Sequence, residues 1–245
     1  MARGARRIAL AALAIFSGSA SAQRSDAWQF EGMPYLWAAG MKGDVGVGRI
    51  AVDGVEMGFP DIAKSLRAGF MGSLEGRKGE WGFLADMIYM QVHQKHPATR
   101  GFTGDVDAKM TQQAYSLAAT WRASPAVDLL AGARTNYVKA DLDLASSALT
   151  PQGRTFAKSR DWVDGFVGVR ARVAIDDRWT LVGYADLGAG GSDSTWQLMA
   201  GADYAISPTA TAKFGYRYFK VDYERDDFKW NMASAGIYLG VGMRF

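Results

Sequence analysis

The sequence predicts an all-β fold, a closed antiparallel up-and-down barrel whose strands cross a membrane. Three observations lead there: strict alternation in the last stretch of chain, its recurrence in nine earlier segments, and connections that switch regularly between short and long. In the last stretch the odd positions are Ala233, Ala235, Ile237, Leu239, Val241, Met243 and Phe245, and the even ones are Ser234, Gly236, Tyr238, Gly240, Gly242 and Arg244. A period of two is the pattern of a strand with one apolar face and one polar or small face. Its length exceeds the about five or six residues usual in globular strands and suits the roughly 9 to 11 of a tilted membrane-crossing strand.

Taken in order, the alternating segments are about 28–41, 66–78, 80–92, 110–122, 126–142, 160–175, 178–189, 195–206, 209–224 and 229–245, so ten strands are preferred and eight are the main alternative. Gly76-Arg77-Lys78-Gly79, Ser124-Pro125, Asp176-Asp177-Arg178 and Ser207-Pro208 are tight turns built from Gly, Pro, Asp and Ser. The longer connections fall near 42–65, 93–109, 143–159, 190–194 and 225–228. Within the first of them, Asp53-Gly54 between Ile50/Val52 and Val55/Met57 predicts a small separate hairpin, and Pro60 to Leu66 predicts one helical turn. Pro34 removes a ladder hydrogen bond inside a predicted strand, and a bulge is expected there.

The N-terminus reads as an export signal. Arg3, Arg6 and Arg7 precede an apolar run from Ile8 to Phe16, and Ala20-Ser21-Ala22 fits a small-x-small cleavage site, which places the signal at 1–22 and the barrel domain at 23–245. The apolar run is too short to span a bilayer, which takes about 20 residues. Removing the signal takes three of the 28 basic residues and none of the 25 acidic ones, leaving the rest balanced. The basic pI therefore gives no reason to expect a nucleic-acid partner. The chain holds no Cys, so disulfides and thiolate metal sites are excluded, and its 29 Gly with 12% aromatics suit a single all-β domain.

A long alternating strand ending on Phe resembles the closing strand of bacterial outer-membrane β-barrels. That resemblance implies that Ile237, Leu239, Val241, Met243 and Phe245 form the signal read by the outer-membrane insertion machinery, and that the protein lies in the outer membrane of a Gram-negative bacterium after export. It also implies short periplasmic turns and longer outer loops. More narrowly, Pro34-Tyr35-Leu36-Trp37, Gly43-Asp44-Val45, Glu75 to Gly82 and Asp86-Met87-Ile88-Tyr89 are similar to a group of exported Gram-negative barrels. This second likeness covers about the first third of the chain and implies no activity.

Alternation alone does not say which face points inward, because a soluble barrel carries the same pattern inside out. Aromatics at the strand ends decide it. Trp28, Trp81, Trp121, Trp179 and Tyr204 gather at one rim and Tyr89, Tyr137, Trp196 and Tyr218 at the other, as two interfacial girdles facing outer-membrane lipid. The opposite parity then faces the lumen and collects Glu31, Arg67, Glu75, Arg77, Asp86, Arg134, Asp164, Arg170, Arg172, Asp186, Asp203, Lys213, Arg217 and Arg244.

Eight strands leave an interior that side chains just fill, and sixteen or more leave an aqueous channel. Ten strands therefore predict a lumen closed by Arg–carboxylate pairs in a non-catalytic barrel. The alternatives are a narrow channel for small polar solutes or apolar ligands, and a lipid-modifying enzyme or protease at the outer rim. For the rim enzyme, His93 and His96 stand at a strand end, but the positions beside His93 are Thr111 and Gln113 and no serine faces it. A metal site would need Asp105 or Asp107 as added ligands, so no metal and no cofactor are predicted. Gly43 to Gly48 opens no helix and does not make a phosphate-cradling loop. Leu239→Arg is expected to cost about 2–4 kcal/mol near the midplane, and Tyr238→Arg to be better tolerated if the lumen has room.

Overall fold

The computed structural model describes residues 27–47, 50–96, 106–144, 154–226 and 228–245. The predicted signal 1–22 lies outside them. In chain order the elements are β1 (Gln29–Val47), β2 (Ile50–Met57), α1 (Phe59–Ser65), β3 (Leu66–Lys78), β4 (Trp81–His96), β5 (Val106–Ser124), β6 (Val127–Leu144), β7 (Arg154–Ala174), β8 (Trp179–Gly190), β9 (Ser194–Ala205), β10 (Ala210–Arg225) and β11 (Phe228–Arg244).

From β3 to β11 each strand pairs antiparallel with the next, and β11 returns to pair with β1 over Glu31↔Arg244 to Val47↔Phe228. β1 in turn pairs with β3 over Gln29↔Arg77 to Pro34↔Gly72, so ten strands close into a cylinder. Phe30 and Phe245 finish the seam, with each backbone N–H donating to the other's carbonyl and the rings stacked 6.0 Å apart.

β2 stands outside this cylinder and pairs with β1 alone, from Met41↔Met57 to Val47↔Ile50. The predicted separate hairpin is therefore corrected. β1 runs on past the membrane and folds back as β2, while Asp53 and Gly54 sit in a bulge opposite Gly43–Val45. Gly54 has φ 68°, and its N–H donates to Asp44 Oδ1 at 2.9 Å, which fixes the irregularity. The predicted helical turn is present as α1.

The bulge expected at Pro34 is also corrected, since the β1–β11 register is the same on both sides of it. Pro34 lacks an N–H, and the ladder skips Met33 and Pro34 on the β11 side. On the other side Pro34↔Gly72 is the last β1–β3 pair. Beyond it β1 leaves β3, and α1 packs between β1 and β4 with Ile62 buried at 4% exposure.

The β8–β9 hairpin is short, and residues 154–163 of β7 pair only with β6. The outer half of the molecule is consequently two facing sheets, β3-β4-β5-β6-β7 and β10-β11-β1-β2. Their inner faces share one apolar core, with Ile88, Val92, Val138 and Trp162 on one side and Trp37, Met41, Phe228, Trp230 and Met232 on the other. Trp162 stacks on Tyr223 at 4.3 Å and closes the gap above β8 and β9. The inward parity predicts a polar or small lining, and the outer half departs from it with this apolar core.

Within the membrane half the aliphatic side chains turn outward. Leu36, Leu117, Val167, Leu187, Ile237 and Leu239 are exposed on the outside, and Trp81, Trp28 and Trp121 lie exposed near the periplasmic end. Trp179 packs with Tyr204 at that end, and Trp196 stacks on Tyr218 at the other. Tyr89 and Tyr137 are half-buried at the same outer level, each facing Gln113 of β5. The Tyr238 ring lies over Gly201 and Gly215, where a Cβ would collide with it, and its side chain also lines a cavity of about 120 Å³ in the lumen.

Leu239→Arg is expected to remove about 2–4 kcal/mol of barrel stability if it lies near the midplane. Tyr238→Arg is expected to lose folded barrel as well, because it strips the ring from over the two glycines and adds a cation near Arg217. Heat-modifiable gel mobility reads both. Trp230→Ala in the outer core should cost about 3–5 kcal/mol and raise protease cleavage of the outer half first.

Candidate functional site

Among the described residues the lumen gathers a dense set of charged side chains, which fall into layers set by strand register. At the periplasmic mouth, Glu75 and Arg77 on β3 meet Asp128 on β6 and Arg170 and Arg172 on β7. Arg170 takes Glu75 in a fork, Nη1 to Oε2 at 2.9 Å and Nη2 to Oε1 at 2.8 Å, and also donates to Asp128 at 2.8 Å. Arg77 Nη2 donates to Asp128 at 2.9 Å, and Arg172 Nη2 to Glu75 at 2.9 Å. Across the mouth, Lys213 on β10 bridges Glu31 at 2.7 Å and Asp203 at 3.0 Å. Arg244 Nε reaches Glu31 at 3.1 Å from an exposed position on the rim.

Deeper in, a second layer crosses the barrel. Arg134 on β6 grips Asp186 on β8 with both terminal nitrogens, at 2.6 and 3.2 Å, and its Nε donates to Ser116 Oγ at 3.0 Å. The Tyr184 hydroxyl donates to the same carboxylate at 2.7 Å. Arg217 on β10 donates to Asp86 at 2.9 Å, to the Tyr35 hydroxyl at 2.7 Å and to Gln197 at 2.8 Å, while Tyr35 donates to Asp86 at 2.8 Å. Aromatic rings cover the guanidinium faces, with Phe166 4.7 Å from Arg134 and Trp37 5.1 Å from Arg217. In this second layer Arg134 and Arg217 each have a counter-charge and further hydrogen-bond partners, the condition under which ion pairs persist away from water.

Of the residues predicted for the lumen, Glu31, Glu75, Arg77, Asp86, Arg134, Arg170, Arg172, Asp186, Asp203, Lys213 and Arg217 are brought together in these two layers, with Arg244 at their edge. Asp164 stands apart. It is fully buried, no cation pairs with it among the described residues, and it accepts from Trp162 Nε1 at 3.1 Å and from the Ser192 N–H at 2.8 Å, which pins the β8–β9 turn. The Arg67 side chain lies outside the described residues. Sequence reasoning missed Asp128 and Arg122 at the mouth, and Tyr35, Ser116, Tyr184 and Gln197 deeper in. Asp128 shares the parity of Arg134 in the predicted strand 126–142 and could have been found from it.

The layers divide the interior into compartments. A basin of about 450 Å³ opens at the periplasmic mouth, lined by Arg77, Arg122, Arg172, Lys213 and Asp203 among others. Between the layers lies a cavity of about 120 Å³. Beyond the second layer the interior is the apolar core. At the outer end Arg225 pairs with Asp193 at 2.6 Å, a hydrogen bond that raises the guanidinium above its ordinary pKa. His93 is half-buried at the end of β4 and the His96 side chain lies outside the described residues. Among the described residues no three His, Asp or Glu side chains converge as a metal cage.

A closed ten-stranded cylinder with lipid-facing aliphatics, aromatic rims and an ionic interior defines an integral outer-membrane β-barrel, located in the Gram-negative outer membrane. The chain belongs to the outer membrane protein β-barrel domain family, whose model matches residues 8–245. No curated protein sequence matches it significantly. Among solved structures it is similar to Ail, the attachment invasion locus protein of Yersinia pestis, at 14% identity over 89% of this chain and 98% of that one, with a TM-score of 0.42. The outer membrane protease OmpT of Escherichia coli is 10% identical over 90% and 97% of the two chains, with a TM-score of 0.47. Neisserial surface protein A is 15% identical over 89% and 97%, with a TM-score of 0.35.

Removing one partner of a buried pair leaves the other charge uncompensated, which costs about 3–5 kcal/mol. Arg134→Gln is expected to lose stability on that scale, measured as a lower midpoint of heat-modifiable unfolding. Arg225→Gln, on an exposed pair, should change it by less than about 1 kcal/mol.

Proposed function

We propose that the protein is a non-catalytic outer-membrane barrel with a closed lumen, which acts through the two-sheet outer half that it presents beyond the membrane. The observation that supports this reading is the second charge layer. Arg134 and Asp186 have side-chain exposures of 2% and 0% and stand across the path that a solute would follow. Opening that path would separate a forked ion pair inside a low-dielectric cylinder, and the apolar core beyond it would still obstruct a polar solute. The cavity below the layer, about 120 Å³, has room for waters.

On this reading the inward ionic residues, Glu31 through Arg244, are structural, and the surrounding partner is outer-membrane lipid held at the aromatic rims. The final strand, with Ile237, Leu239, Val241, Met243 and Phe245 on its outer face, serves as the signal for the insertion machinery during assembly. Truncating Phe245 should therefore lower the yield of inserted barrel while the exported precursor persists.

Planar-bilayer recording tests the closed lumen. The purified protein should give no current above lipid background, whereas reproducible unitary steps would replace this reading with the narrow-channel one.

A further inference from the structure

At the periplasmic mouth four guanidinium groups share two carboxylates. Arg77 lies 2.9 Å from Asp128, Arg170 2.8 Å from both Glu75 and Asp128, Arg172 2.9 Å from Glu75, and Arg122 3.6 Å from Asp128. Two positive charges are left over. The opposite wall supplies no surplus carboxylate to offset them, because Lys213, Arg244 and Arg178 there stand against Glu31, Asp203 and Asp177. Among the described residues no third carboxylate joins the four-arginine group.

The imbalance has a direction. Arg77 and Arg170 are packed into the wall with side-chain exposures of 10% and 7%, while Arg122 and Arg172 keep 39% and 27% and line the basin of about 450 Å³. Arg77 Nη1 is buried without an acceptor. A guanidinium carries five N–H donors in a fixed fork, and two carboxylates cannot occupy twenty of them. Surplus positive charge and surplus planar donors, half-withdrawn from water, are the recognition chemistry of a phosphate, sulfate or carboxylate group.

We infer that the periplasmic basin binds a small soluble oxyanion, with Arg122 and Arg172 as the contacting forks and Arg77 adding charge from behind. The basin opens inside the barrel wall, whereas Trp121, beside Arg122 in the same strand, faces lipid. That places the site among periplasmic solutes and apart from lipid headgroups. The site needs no conducting lumen, so it stands whichever way the conductance recording falls.

Inorganic phosphate is the probe. In a phosphate-free nonionic detergent, the unfolding midpoint of the intact barrel should rise saturably with phosphate at constant ionic strength, by about 5 °C at a hundred times the dissociation constant. Arg122→Gln and Arg172→Gln should each lose at least half of that rise, and Arg225→Gln at the far end should keep it. If either glutamine variant fails to fold, Arg122→Lys keeps the charge without the fork and should also lose at least half. An undiminished rise in the folded variants, an equal rise with chloride, or no saturable rise in the unaltered protein would overturn the site. A rise with short-chain phosphatidic acid and none with inorganic phosphate would overturn the soluble-ion assignment.

Discussion

Hydrocarbon offers a backbone amide nothing to bond with, and the fold follows from that constraint. A sheet in the bilayer cannot end in an open edge, so β1 has to meet β11, and Glu31↔Arg244 to Val47↔Phe228 is the seam that results. Once the sheet is closed, alternation sends every second side chain to lipid and the rest inside. Leu239 and Tyr238 are neighbours in sequence with opposite surroundings for this reason alone. The partner exchange of β1 respects the same constraint. At Pro34, where the chain lacks a donor on one side and loses β3 on the other, α1 fills the space that a lost ladder would otherwise leave open.

The interior is a consequence of diameter. Ten strands enclose too much volume for small side chains and too little for a column of water, and long arginines reaching across to carboxylates fill it. Arg134 and Arg217 do this with guanidinium edges bonded to Asp186 and Asp86 and faces covered by rings. Glycines provide the clearance, as Gly201 and Gly215 do beneath Tyr238. Polar and apolar contents therefore occupy the lumen in turn, and charge is held where it can be paired.

The membrane cylinder was legible in the sequence because its physics is periodic. Alternation in Ala233–Phe245 gives strand and facing together, the turn residues at Ser124-Pro125 and Ser207-Pro208 give the short connections, and parity alone groups Arg134 with Asp186. What stayed hidden depends on neighbours distant in the chain. Nothing local in Asp53-Gly54 distinguishes a two-residue turn from a bulge, because the choice is made by β1 continuing to Val47 and offering itself as a partner. The outer core was missed for a related reason: Trp37, Trp162 and Trp230 share the parity of the buried arginines, and only their height along the strands separates a dry sandwich from an ionic lumen. Asp128 was legible by its parity with Arg134 within the predicted strand 126–142.

The shortness of β8 and β9 has an effect on how the molecule can vary. Below Gly190 the cylinder is fitted to one bilayer thickness, and any change in length there would push charge into lipid or greasy residues into water. Above it the two walls answer only to each other, as in a soluble domain resting on a fixed base. Insertions, deletions and new surface chemistry can accumulate at that end without disturbing how the base is threaded into the membrane, so one pedestal suits many different crowns.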